Sequence, residues 1–193
     1  MKKVILTTMA ILAFGFANAQ KTRFGVKGGL NVSTLTGEYE DDTKSLIGFH
    51  VGGFAEIKVI ERLAIQPELL FSAQGARFEG IGNDKYDAKL NYLNIPVLAK
   101  FYITKQFTVE AGPQIGFLLS AKIEGEDAKD FYKSADFGFN FGAGYNFTDN
   151  FSAGIRYTVG LSGVYDNDNE DLEDYIDSSK NSNLALFVGY KFN

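Results

Sequence analysis

The sequence predicts an all-β fold, an eight-stranded antiparallel up-and-down transmembrane β-barrel preceded by a cleavable signal peptide. Three observations predict it. The N-terminus has the plan of an export signal, eight segments alternate between apolar and small or polar residues, and short and long connections alternate between those segments. This combination is typical of the small barrels that cross bacterial outer membranes.

The signal peptide is predicted over residues 1–19, which leaves residues 20–193 as the outer-membrane barrel domain. Lys2 and Lys3 follow Met1, an apolar run continues to Phe16, and Ala17-Asn18-Ala19 matches the small-x-small cleavage pattern. The alternative is a single membrane-spanning helix, but the run is shorter than the ~20 residues that such a helix needs. We therefore expect an exported chain whose fold begins near Gln20.

The amino-acid composition and the net charge exclude some classes of function. The chain has 19 Lys and Arg against 24 Asp and Glu, and loss of the two leader lysines gives 17 against 24, a net charge of −7. Such an acidic chain has no general attraction to nucleic acid. It contains no cysteine, 21 glycines and 18 phenylalanines. Beyond the leader, no stretch is long and apolar enough for a membrane helix, so a membrane crossing would need strands.

Period-two alternation marks the eight predicted strands, each of about ten residues, the length of a tilted membrane strand. They cover residues 24–32, 49–57, 63–71, 91–101, 107–119, 137–145, 151–159 and 184–192.

The connections alternate in length. The short ones cover residues 58–62, 103–106 and 146–150, and the long ones cover 33–48, 76–89, 120–135 and 160–183. Outer-membrane barrels sort their connections in this way, with tight periplasmic turns and longer external loops.

Aromatic residues stand at the strand ends beside the short turns. Rings of this kind favour the boundary between membrane and water. We therefore predict a periplasmic aromatic girdle, formed by Phe24, Phe101, Phe107, Tyr145, Phe151, Tyr190 and Phe192.

The second face of the strands decides between a lumen and a solvated surface. It carries mostly Gly, Ser, Asn, Gln and Thr, with seven isolated charges: Lys27, Glu56, Glu68, Lys100, Glu110, Arg156 and Lys191. An eight-stranded barrel has a narrow interior that side chains fill, and buried charges need partners. We predict that these charges pair in a plugged lumen. The alternative is the solvated face of a soluble sheet.

Three prolines fall inside the predicted strands, namely Pro67, Pro96 and Pro113. Each removes one donor from the hydrogen-bond ladder, and a closed barrel has no free edge to absorb the loss. Bulges are therefore expected at these positions.

Four segments carry a family resemblance. Phe24–Asn31, Ile65–Ser72, Leu93–Lys100 and Ala111–Gly116 resemble the corresponding strands of the PorT-like outer-membrane β-barrel family. The resemblance extends over the whole mature chain. It implies a barrel in the outer membrane of a Gram-negative-type bacterium and tolerated prolines, and it implies no activity, cofactor or catalytic residue.

A search for catalytic parts finds little. His50 is the only histidine, and no G-x-S-x-G nucleophile elbow occurs. Ser33, Ser45 and Ser72 have hydroxyl groups that could act as nucleophiles, but no sequence motif marks any of them as one. The first, third and fourth of the predicted long connections carry clusters of acidic residues. In the last of them Asp166, Asp168, Glu170 and Asp177 have the spacing of calcium ligands, but Asp171 stands where that loop needs glycine. We predict no enzyme, no cofactor and no metal.

The sequence thus predicts a non-enzymatic barrel with a structural or interaction role, acidic external loops and a plugged lumen. Expected partners are outer-membrane lipid, the barrel-assembly machinery during biogenesis, and a protein or surface that contacts the external loops. The alternatives are a narrow transport or secretion-accessory barrel and a membrane-embedded hydrolase or acyltransferase.

Overall fold

A computed structural model of the chain describes residues 22–37, 43–79, 85–165 and 179–192. The predicted signal peptide and the calcium-like acidic spacing at 166–177 lie outside the described residues. No helix in the described part of the chain is long and apolar enough to span a membrane.

The described residues form nine strands and one turn of 3-10 helix at Lys129–Phe131. The strands are β1 (Thr22–Thr36), β2 (Thr43–Ile60), β3 (Leu63–Glu79), β4 (Lys85–Tyr102), β5 (Phe107–Ile123), β6 (Glu126–Asp127), β7 (Ala135–Asn146), β8 (Phe151–Gly160) and β9 (Lys180–Lys191). β6 is a two-residue strand that folds back on β5, and Glu124 and Gly125 make that turn with positive φ angles of 54° and 94°. The type I′ hairpin turn requires positive φ at both central residues.

The eight long strands close into a barrel. Each pairs antiparallel with its neighbour in the chain, and β1 closes the ring on β9, with Lys27 opposite Gly189 and Leu30 opposite Leu186. The predicted eight-stranded antiparallel up-and-down barrel is therefore confirmed. Closure leaves no unpaired sheet edge, which is what a sheet needs to exist in hydrocarbon.

The strands are longer than predicted at the end of the barrel that carries the long connections. β2 has 18 residues and β3 has 17. Ladder pairs such as Ser33 with Leu46 and Thr43 with Phe78 lie within the predicted loops. The predicted strand ends were placed where the alternation of apolar residues stops. Backbone hydrogen bonds between strands do not need apolar side chains, so the pairing continues beyond those ends.

The prediction of bulges at the three prolines is wrong. Pro67 pairs with Val97 in unbroken register, and so does Pro113 with Phe139. Pro96 likewise keeps its register opposite Gln114. The register shifts lie elsewhere, between Ser45 and His50, between Lys58 and Ile60, and between Asn91 and Tyr92.

Beside each proline, two consecutive pairs drop out of the ladder on the side of the preceding strand, and pairing then resumes in the same register. A missing N–H removes bonds to one neighbour only, because the N–H and C=O of a residue in an antiparallel ladder point to the same side. The pairs on both sides of the gap hold the strands in place.

Apolar side chains point outward around the whole barrel. Ile47 is 75% exposed, Phe24 64% and Leu186 54%, and the residues between them on each strand are mostly buried. A water-soluble protein has the reverse distribution, with apolar side chains inside. Apolar side chains on the outside are the arrangement that a barrel in a lipid bilayer needs. The barrel interior is therefore polar, and the candidate site lies there.

Candidate functional site

Side chains fill the interior in layers, because every second residue of each strand points inward. From the end with short turns to the end with long connections, the layers are an open vestibule, two charged clusters, a polar layer and an apolar cap. The seven predicted lumen charges are the buried Lys, Arg, Asp and Glu residues of the described chain.

The first cluster lies just inside the short-turn end. Glu56 accepts from Lys100 at 3.2 Å through Oε2 and from Lys191 at 3.4 Å through Oε1. Lys100 also donates to Gln66 Oε1 at 3.3 Å. One carboxylate thus holds two ammonium groups.

The second cluster lies deeper, at the centre of the barrel. Arg156 donates to both oxygens of Glu68 at 2.8 and 2.9 Å, and through Nε and Nη2 to Glu110 Oε1 at 2.8 and 2.6 Å. Lys27 donates to Glu68 Oε1 at 2.6 Å, and Gln66 donates to the same oxygen at 2.6 Å. Two cations and two carboxylates from four strands are joined there by charge-assisted hydrogen bonds.

Two phenylalanine rings line this second cluster, and sequence reasoning did not single them out. The Lys27 ammonium lies 4.2 Å from the Phe187 ring centroid and 5.6 Å from that of Phe54, and Arg156 lies 5.5 Å from Phe187. These are cation–π distances. The alternation does place Phe54 and Phe187 on the inward face of their strands, and this position was the sequence signal that could have identified them. Glycine makes room for each ring, because a Cβ at Gly25 or Gly154 would overlap it.

A polar layer follows the second cluster. Asn31 lies at its centre, donating to the Ser72 hydroxyl at 2.9 Å and meeting His50 Nδ1 through Oδ1 at 2.8 Å. The cavity beside these residues has a volume of about 20 Å³. That is room for about one water molecule.

This layer contains the candidate base and one candidate hydroxyl, but it does not form a nucleophile–base pair. A hydrolase needs the serine oxygen within hydrogen-bond reach of the histidine ring. Here Asn31 stands between His50 and Ser72, and its amide group bonds the serine. His50 and Ser72 are both buried, so a substrate would have no room beside them.

An apolar cap closes the end with the long connections. Its buried members come from strands and from the connections themselves: Leu35, Ala76, Leu90, Tyr92, Leu118, Ala121, Ala128, Tyr132 and Val164. Tyr132 and Tyr165 form a β-bridge between two connections, with ring centroids 5.2 Å apart. The cap was not predicted, because Tyr132 and Val164 lie in segments without alternation.

The opposite end of the interior is open. A cavity of about 650 Å³ reaches inward from the short-turn end to the first cluster. Residues of all three short turns line it, including Arg62, Lys105 and Asp149. We call this cavity the vestibule.

The outer membrane protein beta-barrel domain family matches residues 17–166, which is more than half of the chain. The chain belongs to this family. The outer membrane is therefore its location.

Two solved structures are similar to the chain in fold. Ail, the attachment invasion locus protein of Yersinia pestis, is 15% identical with a TM-score of 0.53, over 89% of this chain and 99% of that chain. Neisserial surface protein A is 19% identical with a TM-score of 0.53, over 88% of this chain and 97% of that chain. No curated protein sequence matches the chain.

The seven residues predicted as the aromatic girdle of this outer-membrane barrel all point outward and are between 41% and 64% exposed. Neighbouring rings contact one another near the short turns: Tyr190 lies 5.9 Å from Phe192, and Phe147 lies 5.6 Å from Phe151. The ring of Phe147, which stands in the turn itself, also lies 5.1 Å from that of Tyr145. Its contact with two girdle rings adds it to the same surface.

Acidic clusters are the remaining predicted feature. Within the described residues, no group of three or more His, Cys, Asp or Glu side chains is arranged to hold a metal ion. Glu124, Glu126, Asp127 and Asp130 lie exposed in and beside the β5–β6 hairpin at the capped end. The acidic clusters of the first and fourth long connections lie outside the described residues.

Proposed function

We propose that this outer-membrane barrel is not an enzyme and that it presents its capped end outside the cell, where it contacts a protein or surface partner. The observation that carries the proposal is the blocked interior. The second cluster, the polar layer and the apolar cap lie between the vestibule and the far end. A barrel filled in this way anchors its loops and offers no continuous aqueous path.

The connection between β5 and β7 supports a contact role. Its backbone is held by a bond from Ala128 N–H to Ala121 C=O at 3.0 Å and by Asp127 Oδ1, which accepts from Lys129 N–H at 3.0 Å. Tyr132 fixes the same segment to the cap. Between these anchors Phe131 points away and is 67% exposed. An ordered loop that presents an aromatic ring among acids suits recognition, because little entropy is lost on binding.

The structural relatives are consistent with this proposal. One is named as an attachment invasion locus protein and the other as a surface protein. Both barrels cover nearly the whole of the present fold. At these identities their own ligands do not transfer to this chain.

Cysteine labelling tests the orientation, because the chain has no cysteine of its own. Phe131→Cys should react on intact cells with a membrane-impermeant maleimide, and the matched Lys105→Cys, in a short turn, should react only after permeabilisation. The reverse pattern would contradict the proposed orientation.

Planar-bilayer recording tests the blocked interior against the transport and secretion-accessory alternatives. The purified barrel should insert without a steady open state, because the charged clusters, the polar layer and the apolar cap fill its bore. A reproducible ohmic conductance from the wild-type chain would favour a channel instead.

We further propose that residues 1–19 are removed on export and that the chain belongs with the PorT-like group of barrels. Support comes from the export pattern and from the four resembling segments. Mass spectrometry of the membrane-embedded protein should find Gln20 at its N-terminus. A tree of family sequences should place the chain beside PorT-like barrels rather than apart from them.

A further inference from the structure

The vestibule is a blind pocket. It opens at the short-turn end and stops at the first cluster, and in the part of the chain that the structure describes the filled layers beyond it leave no exit. Its volume of about 650 Å³ falls in the range of small-molecule sites. A blind, polar cavity suits binding rather than passage.

Positive charge predominates on its walls. The lining includes five cations, namely Arg23, Lys58, Arg62, Lys105 and Lys191, and three acids, namely Glu56, Glu61 and Asp149. Glu56 is already engaged by two lysines. A concave wall with an excess of one sign concentrates ions of the other sign.

The excess continues into the floor of the cavity. In the two buried clusters, Lys27, Lys100, Arg156 and Lys191 face only three carboxylates. Both contacts of the Glu56 carboxylate with lysine, at 3.2 and 3.4 Å, are longer than the contacts in the central cluster. The side chains of Lys191 and Lys100 are only 5% and 9% exposed, so water compensates this charge poorly.

Arg23 adds a further cation beside the floor. Its Nη1 donates to the backbone carbonyl of Asp149 at 2.9 Å, which orients the guanidinium group without neutralising it. Arg23 and Lys191 both line the vestibule, so two like charges face the same cavity. An anion between these groups would relieve the repulsion and receive several charge-assisted hydrogen bonds.

We propose that the vestibule is a binding site for a small anionic ligand, whose carboxylate or phosphate group is held by Lys191 and Arg23 above the Glu56–Lys100 pair. The ligand enters from the periplasmic side of the proposed orientation. Two sources carry this chemistry, a free small anion and the head group of an anionic phospholipid.

The test uses the full mature chain folded in non-ionic detergent micelles, with amide NMR spectra recorded during titration. Inorganic phosphate and succinate represent free anions, and phosphatidylglycerol added to the micelles represents the lipid source. Saturable shifts confined to vestibule amides with either kind of probe support the site, and the kind that binds identifies the source. Affinity should fall as sodium chloride is raised, because salt screens the attraction.

Variants decide whether the assigned cations do the binding. Arg23→Gln and Lys191→Gln should each weaken binding about tenfold, the effect of losing one charge-assisted hydrogen bond. Lys129→Gln makes the same charge change at the capped end and should leave the affinity unaltered.

The two test variants leave the folded barrel intact for separate reasons. Arg23 takes no part in the buried clusters, and Glu56 keeps Lys100 as a partner when Lys191 is replaced. A heat-modifiable band on a gel checks folding of each variant. The absence of saturable shifts with all three probes, or equal weakening by Lys129→Gln, would overturn the proposal. Neither result bears on the orientation tested by cysteine labelling.

Discussion

Removal of the Arg156 guanidinium should be among the most damaging single changes to the folded barrel. Arg156 makes four hydrogen bonds of 2.6 to 2.9 Å with Glu68 and Glu110. Glu68 would keep Lys27 and Gln66 as partners, whereas among the described residues Glu110 forms its one ion pair with Arg156. The substitution Arg156→Met therefore strands one buried carboxylate and weakens the surroundings of another.

The expected cost is about 3–5 kcal/mol in the free energy of unfolding, the range for a buried ion pair that loses one partner. Most of that cost comes from the unpaired Glu110 rather than from the lost attraction. The double variant Arg156→Met with Glu110→Gln removes the stranded charge, and its unfolding free energy should return to within about 2 kcal/mol of wild type.

Urea titration of the barrel in lipid vesicles measures these differences, with the heat-modifiable band on a gel as the readout of folded protein. Arg77→Gln is the matched control, because it removes an arginine from a solvent-exposed pair and such pairs contribute little. If Arg156→Met were as stable as that control, or if the double variant were less stable than the single one, the assignment of the cluster as a buried structural network would be refuted.

Two further predictions concern backbone approach and surface charge. Gly52→Ala should cost about 1–3 kcal/mol in urea titration, because its Cβ would overlap the Leu69 carbonyl oxygen, whereas Gly53→Ala should be near neutral, since the nearest atom lies at 3.5 Å. At the capped rim, Arg77 bonds Asp87 and lowers the pKa of that carboxyl. The pair's small contribution is therefore present above the unfolded pKa of Asp and is lost as pH falls through the lower folded value. Arg77→Gln should raise the pKa of Asp87 towards its ordinary value in a ¹³C NMR titration.

The alternation of side chains was sufficient to predict the fold and the inward position of all seven buried charges. A strand has a side-chain period of two, so the phase of one apolar residue fixes the face of every other residue on that strand. This holds for β4, where Tyr92 and Leu98 occupy the inward face as apolar residues. The same alternation places Phe54 and Phe187 inside, although they were not predicted as part of the site because the prediction considered only charged residues of the inward face.

The alternation did not predict which of the lumen charges pair with one another. Mixed signs predicted ion pairs, but the division into a Glu56 cluster and an Arg156 cluster depends on strand stagger. Arg156 meets Glu68 from a strand that is not adjacent in the sheet. Such contacts cross the bore, and no local pattern in the chain records them.

The proline prediction failed for a related reason. A single strand shows that a donor is missing, but it does not show how many flanking pairs hold the register. In the barrel the ladders on both sides of each gap continue, so the loss stays local and Pro67, Pro96 and Pro113 cause no shift.

Taken alone, the sequence determined which side chains face lipid and which face the bore, because that information is carried by neighbours along one strand and by the fixed geometry of the pleat. Only the tertiary structure decided how the bore is filled: which charges meet, that Tyr132 and Val164 close one end, and that the other end stays open as a cationic vestibule. Those features arise where distant strands and connections converge, and their distances depend on closure and stagger of the whole barrel.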